Sequence, residues 1–158
     1  MFGKSASLWY KGWHQHMNPI QIVIDTNVLV SAFRSKNGAS NRLIAAIGDP
    51  RWEINVSTTL VLEYEASLKR TFMQLGIPLE LADEALDGLL TVANRRSIPM
   101  GYRPALPDAD DVFVLELAIE SCAAYVITFN IKDFEGAARY GVRCMRPGEF
   151  LKMLEGHV

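Results

Sequence analysis

At 158 residues, 49% hydrophobic and 22% charged, the chain reads as one ordinary soluble globular domain, long enough to bury a sizeable core. Its net charge of −2 argues against a strongly basic nucleic-acid binder, while leaving room for local basic patches. No apolar stretch is long enough to span a bilayer. Cys122 and Cys144 lack C-x-x-C spacing and read as small buried hydrophobes in a reducing cytosol, not as a disulfide framework.

The first sixteen residues, MFGKSASLWYKGWHQH, mix Lys, aromatics and His without the continuous apolar core of a secretory signal. Residues 1–18 are read as a poorly ordered extension, with Met17 as the natural start, and residues 19–158 as a single domain. His14 and His16 form an H-x-H pair, read as part of that tail in preference to a metal site.

Beyond the tail, strands alternate with helices. Ile20–Asp25 reads as a fully buried strand, and Ala39–Ile47 as a helix ending at Gly48 before an Asp49-Pro50 turn. Trp52–Ser57 is a second strand, and Ser57-Thr58-Thr59 supplies N-cap candidates for a helix to about Arg70. Pro78 opens a helix over Leu79–Ala93 with Leu81, Ala85, Leu89 and Val92 as its apolar stripe. Asn94–Pro107 is irregular, and Asp108 caps a helix running to Cys122. Strand Tyr125–Thr128, a short strand Val142–Met145 and a helix after Pro147 close the chain. The alternation implies a parallel sheet covered on both faces.

One stretch, IQIVIDTNVLV, breaks an apolar run with a single Asp. An unpaired carboxylate there costs several kcal/mol to desolvate. Either the strand ends at Asp25 and the acid reaches into a cleft, or the acid caps the next helix. In open parallel sheets, ligands bind outside the carboxyl ends of the strands, where the following helices begin. That edge would receive Asp25, Glu63 from the first turns after Ser57, Asp110 and Asp111 from the helix after Asp108, and Asn130 and Asp133 from the loop after Thr128. Clustered carboxylates must protonate or bind a cation. Mg²⁺ and Mn²⁺ prefer such oxygen donors and often bridge to phosphate, which suits metal-assisted phosphodiester hydrolysis.

Three stretches, IVIDTNVLVSAF, VSTTLVLEYEASLKR and LPDADDVFVLELAIESCAAYVITFNIKDF, occur in an order and spacing that resembles the PIN-domain family, specifically its small bacterial toxin type. The resemblance runs from about Ile20 to Leu151. It implies a three-layer α/β/α, Rossmann-like fold with a mostly parallel sheet. It further implies a ribonuclease using one or two Mg²⁺ or Mn²⁺ ions, cytoplasmic, commonly homodimeric and held by a partner antitoxin.

Matched to that motif, Asp25 is the first metal-site acid, and Asn27 fixes the loop or bonds a carboxylate. Glu63 is chosen over Glu65, because Glu65 has Lys69 four residues on as a surface partner. Asp111 shares a helical stripe with Leu115, Ala118 and Cys122, whereas Glu116 and Glu120 mark the wet face. Asp110 would help through a water, and Asp108 is a cap. Where many relatives carry T-x-D, this chain has Thr128-Phe129-Asn130, and Asp133 stands in for the missing acid. An amide ligates hard metals weakly, which puts a second ion in doubt. Arg34, Lys36, Arg42 and Lys132 are candidate phosphate contacts. Two other classes compete: a phosphotransfer or phosphatase domain, which wants an acid where Asn27 stands, and a protein-binding module of the same fold without catalysis.

Overall fold

Strand β1, Ile20–Ile24, lies at the centre of the sheet and is buried along its last three residues, which is what a near-continuous Ile/Val run requires. The computed structural model describes residues 18–99, 106 and 109–156. Residues 1–17 of the N-terminal extension and Asp108 therefore lie outside the described residues. Strand β2 is Trp52–Val56, β3 Asn94–Arg95, β4 Tyr125–Ile127 and β5 Arg143–Met145. Their spatial order is β3-β2-β1-β4-β5, and every described pairing is parallel. The order reverses between β1 and β4, so the crevice for a ligand opens at their carboxyl ends.

Helices flank the sheet: α1 Thr26–Arg34, α2 Ala39–Ala45, α3 Thr58–Leu75, α4 Leu79–Val92, α5 Ala109–Glu120 and α6 Pro147–Glu155. Helix α1 packs on α2 and α3, α3 on α4, and α2 on α6, while α5 lies against β1, β2 and β4. Edge-on aromatic pairs join helix to helix and sheet to helix. Phe33 meets Phe72 at 5.2 Å, and Trp52 meets Phe150 at 5.7 Å; each such pair contributes about 0.5–1.5 kcal/mol beyond its buried area. Ser57 caps α3 as expected, accepting from the Leu60 N–H at 3.2 Å. At the other end, Gly76 takes φ +72°, and the Ile77 N–H closes back on the Phe72 carbonyl at 2.8 Å.

Several expectations need correction. Thr26–Arg34, to which local sequence signals assign no element because Val28 and Val30 favour strands, is helical. Helix α3 runs five residues past Arg70. Asn94–Arg95, inside the stretch read as irregular, is an edge strand on β2. Ile131–Tyr140 forms a 3₁₀ segment with a kink at Phe134. Helix α4 buries Ala82, Leu86 and Leu89, leaving Leu81 45% exposed, since packing on α3 selects the neighbouring stripe. Helix α5 is enclosed on more sides than a surface helix, so Glu116 is buried, not wet. It ends at Glu120, and Cys122 is exposed at φ 53° instead of lying on the buried stripe. Cys144 is half-buried.

A polar ladder crosses three strands. Gln21 donates to Glu53 at 3.0 Å, Asn94 bonds both, and the fully buried Asn55 donates to Gln21 and to the Ile22 carbonyl. Arg96 completes it, its Nε donating to the Asn55 side chain at 2.8 Å.

Candidate active site

The chain turns directly from β1 into α1, and Asp25 occupies the joint. It resolves the puzzle of the interrupted strand in both ways at once. Oδ1 accepts from the Thr26 N–H at 2.9 Å as a helix cap, and Oδ2 accepts from the Thr128 hydroxyl at 2.7 Å across the crevice. The residue is 7% exposed. Thr128, wholly buried just past β4, also receives the Asn130 N–H at 3.0 Å, so one hydroxyl links the ends of both central strands. Asn27 accepts a long 3.5 Å bond from the Phe129 N–H, steadying the same loop.

Glu63 sits in the second turn of α3 and accepts from the Thr26 hydroxyl at 2.5 Å. Thr26 therefore holds two acids, one through its N–H and one through its hydroxyl. No role was read for it in the sequence, although it stands inside the D-T-N motif. Tyr64 was missed as well: its buried hydroxyl donates to the Ile24 carbonyl, tying α3 to the strand end that carries Asp25. Glu65 pairs with Lys69 at 3.0 Å as a surface ion pair, as its spacing implied.

Burial pushes the Asp25 carboxyl above the ordinary carboxylate range. Hydrogen bonds from Thr128 and Thr26 oppose that, and the negative charges of Glu63 and Asp133 push it further up. Burial, then the charges of Asp25 and Glu63, holds the Tyr64 phenol well above its usual value. Burial and the Asp25 charge push the Cys144 thiol up to about 11. Glu63 and Asp133 thus act on Asp25 through space. Asp133 itself is exposed at the start of the 3₁₀ segment, its N–H bonded to the Asn130 carbonyl at 3.0 Å.

Asp111 is the third residue of α5 and only 9% exposed, in line with Leu115 and Ala118, which are fully buried. Asp110 falls in the first turn of the same helix. Among the candidate cations, Lys36 and Lys132 are exposed, and Arg34 is exposed and donates to Gln74 at 2.6 Å. Arg42 lines a cavity with Trp52, the first residue of β2, and so lies at the opposite edge of the sheet from Asp25.

Carboxylate and amide oxygens form a hard donor set, the kind Mg²⁺ and Mn²⁺ take. Among the described residues, no three His, Cys, Asp or Glu side chains stand close enough to cage an ion alone. Mg²⁺ needs no such cage, since it retains several waters and uses one or two carboxylates. A buried carboxylate whose charged neighbours Glu63 and Asp133 are negative fits that requirement.

The fold is a Rossmann-like α/β domain with this acidic notch at the switch point of its parallel sheet. A family model described as PIN domain matches residues 21–132, and the chain belongs to that family. Among solved structures, it is similar to a chain of the crystal structure of VapBC2 from Rickettsia felis bound to a DNA fragment from their promoter. The TM-score is 0.55 at 16% identity, covering 79% of this chain and 98% of that one. No curated protein matches it. Among the described residues, no helix is long and apolar enough to cross a membrane.

Proposed function

We propose that the chain is a divalent-metal-dependent endoribonuclease and the toxin of a toxin–antitoxin pair. The observation that carries this reading is Asp25: a buried carboxylate at the sheet's switch point, held from both sides by Thr26 and Thr128, with Glu63 and Asp133 acting on it. Asp25, with Glu63 or Asp111 as a second carboxylate and waters filling the rest of the shell, would hold Mg²⁺ or Mn²⁺, which supplies a water of lowered pKa and neutralises charge at the scissile phosphate. Asp133 orients the attacking water, with Asp110 assisting. Thr128, Asn130 and Asn27 keep the loop and the Asp25 carboxylate in place. RNA as substrate and a homodimeric state follow the family resemblance. A cognate antitoxin as partner follows that resemblance and the VapBC2 likeness.

The test is direct. Purified protein should degrade RNA only with added Mg²⁺ or Mn²⁺ and lose the activity on Asp25→Asn. Metal-independent cleavage, or cleavage that survives Asp25→Asn, would sink the reading. A second reading, a protein-binding module of the same fold, is favoured by Asn130 standing where many relatives have an acid. RNA left intact under every metal condition, with a protein partner still bound, would select it.

A further inference from the structure

A second cavity opens beside the acidic notch on the same sheet edge. It is about 250 Å³ and is lined by Ser57, Val61, Leu62, Leu90, Arg95 and Arg96, among others. The strand register fixes its place. Ile22 pairs with Ile54, so continuing β1 and β2 brings Asp25 level with Ser57, while Val56 pairs with Arg95 on β3. The arginine strand is two strand spacings, about 10 Å, from the strand that carries Asp25. Leu62, 59% exposed on the cavity wall, immediately precedes Glu63 on α3.

Chemistry distinguishes this cavity from the notch. Neither Arg95 nor Arg96 has an ion-pair partner among the described residues, whose ion pairs lie at Asp49–Arg51 and around Lys69. Arg96 is held by its Nε bond to buried Asn55, leaving its two terminal nitrogens without a protein partner among the described residues. Two guanidiniums without an ion-pair partner among the described residues, in a chain of net charge −2, are complementary to a polyanion, and the Arg fork matches phosphate geometry. The opposing wall of Val61, Leu62 and Leu90 is apolar and suits the face of a flat ring.

We propose that this cavity seats the nucleotide next to the scissile phosphate, with Arg95 and Arg96 on its phosphate and the Leu62 wall against its base. The proposal rests on the nuclease reading above and adds to it the residues that position the strand. The probe is a short 2′-O-methyl RNA oligonucleotide, titrated without metal so that it stays intact, by fluorescence anisotropy across a salt series. Arg95 is exposed on an edge strand, so Arg95→Ala should fold normally. It should weaken binding about 5–10-fold and lower the salt slope by about one. Arg95→Lys should keep the slope, and Leu62→Ala should weaken binding without changing it. In cleavage of ordinary RNA, Arg95→Ala should raise KM and leave kcat nearly unchanged.

Unchanged affinity and slope in both Arg95→Ala and Arg96→Ala, with the wild type still cutting RNA, overturns the proposal and leaves the cavity to a protein partner. The nuclease reading survives that result. RNA uncut by the wild type under either ion sinks the nuclease reading itself and takes the proposal with it.

Discussion

The two edges of the sheet use the same residue type in opposite ways. At the carboxyl edge, Asp25 is buried, flanked by acids and pushed above its ordinary pKa. At the amino edge, Asp49 is partly buried too, but hydrogen bonds and the charge of Arg51 outweigh burial and bring it below. Arg51 grips Asp49 with Nε and Nη2, and its Nη1 reaches the Leu154 carbonyl at the end of α6 at 3.2 Å. One edge satisfies its charge; the other leaves it in excess. Excess buried charge lowers stability in the resting state and is retained where chemistry uses it.

The sharpest break in that contrast would come from activity. Asp25→Asn should reduce metal-dependent RNA cleavage by about two orders of magnitude or more, whereas Asp49→Asn should leave it near wild type. Equal losses at both positions would erase the distinction. Thr128→Val removes the 2.7 Å bond to Asp25 and should cost about tenfold in kcat/KM, a charge-assisted bond being worth about 1.5–3 kcal/mol. Tyr64→Phe frees the Ile24 carbonyl from its side-chain donor and should lower stability by about 1–2 kcal/mol, read by urea unfolding.

Stability should move with opposite signs at the two edges. Because the folded pKa of Asp25 is raised, metal-free protein loses stability as pH rises from the unfolded value of about 3.9 through that raised value. At neutral pH, Asp25→Asn should therefore raise the Tm of metal-free protein, and Mg²⁺ or Mn²⁺ should raise the Tm of the wild type but not of the variant. Asp49, its folded pKa lowered, contributes stability above its unfolded value and loses it as pH falls through the folded one. Asp49→Asn should lower Tm slightly at pH 7, since a half-exposed pair is worth less than about 1 kcal/mol after screening. The smallest effect concerns thiols. At pH 8 a disulfide reagent should modify exposed Cys122 well before Cys144, whose pKa is about 11; reversed rates would contradict the electrostatics at the carboxyl edge.

What the sequence made legible follows the reach of local signals. An apolar run ending in Asp, a Ser-Thr-Thr cap and a Glu65–Lys69 spacing each report on their own neighbourhood, and each corresponds to an element or contact observed. Helix α1 escaped because its β-branched residues speak for a strand, while the Asp25 cap and the burial of Val28 and Leu29 decide for a helix. The α4 stripe was off by one position, since Ala82-Leu86-Leu89 and Leu81-Ala85-Leu89 are both periodic and only contact with α3 separates them. A helical wheel turns Glu116 toward water because it shows one helix and not what encloses it. At the site, Asp25 and Glu63 are visible as acids, but the Thr26 N–H and hydroxyl that together join them and the Tyr64 anchor exist only in three dimensions. The arginine-lined cavity depends on a two-residue strand, too short for any pattern to show.

The bond between Asp25 and Thr128 spans 103 residues of chain. A ribosome adding about 5–20 residues per second needs roughly 5–20 s to make that stretch. Throughout that interval the first acid has emerged without the strand end that braces it. On the ribonuclease reading proposed above, the nascent chain cannot cut its own message until Thr128 has been added.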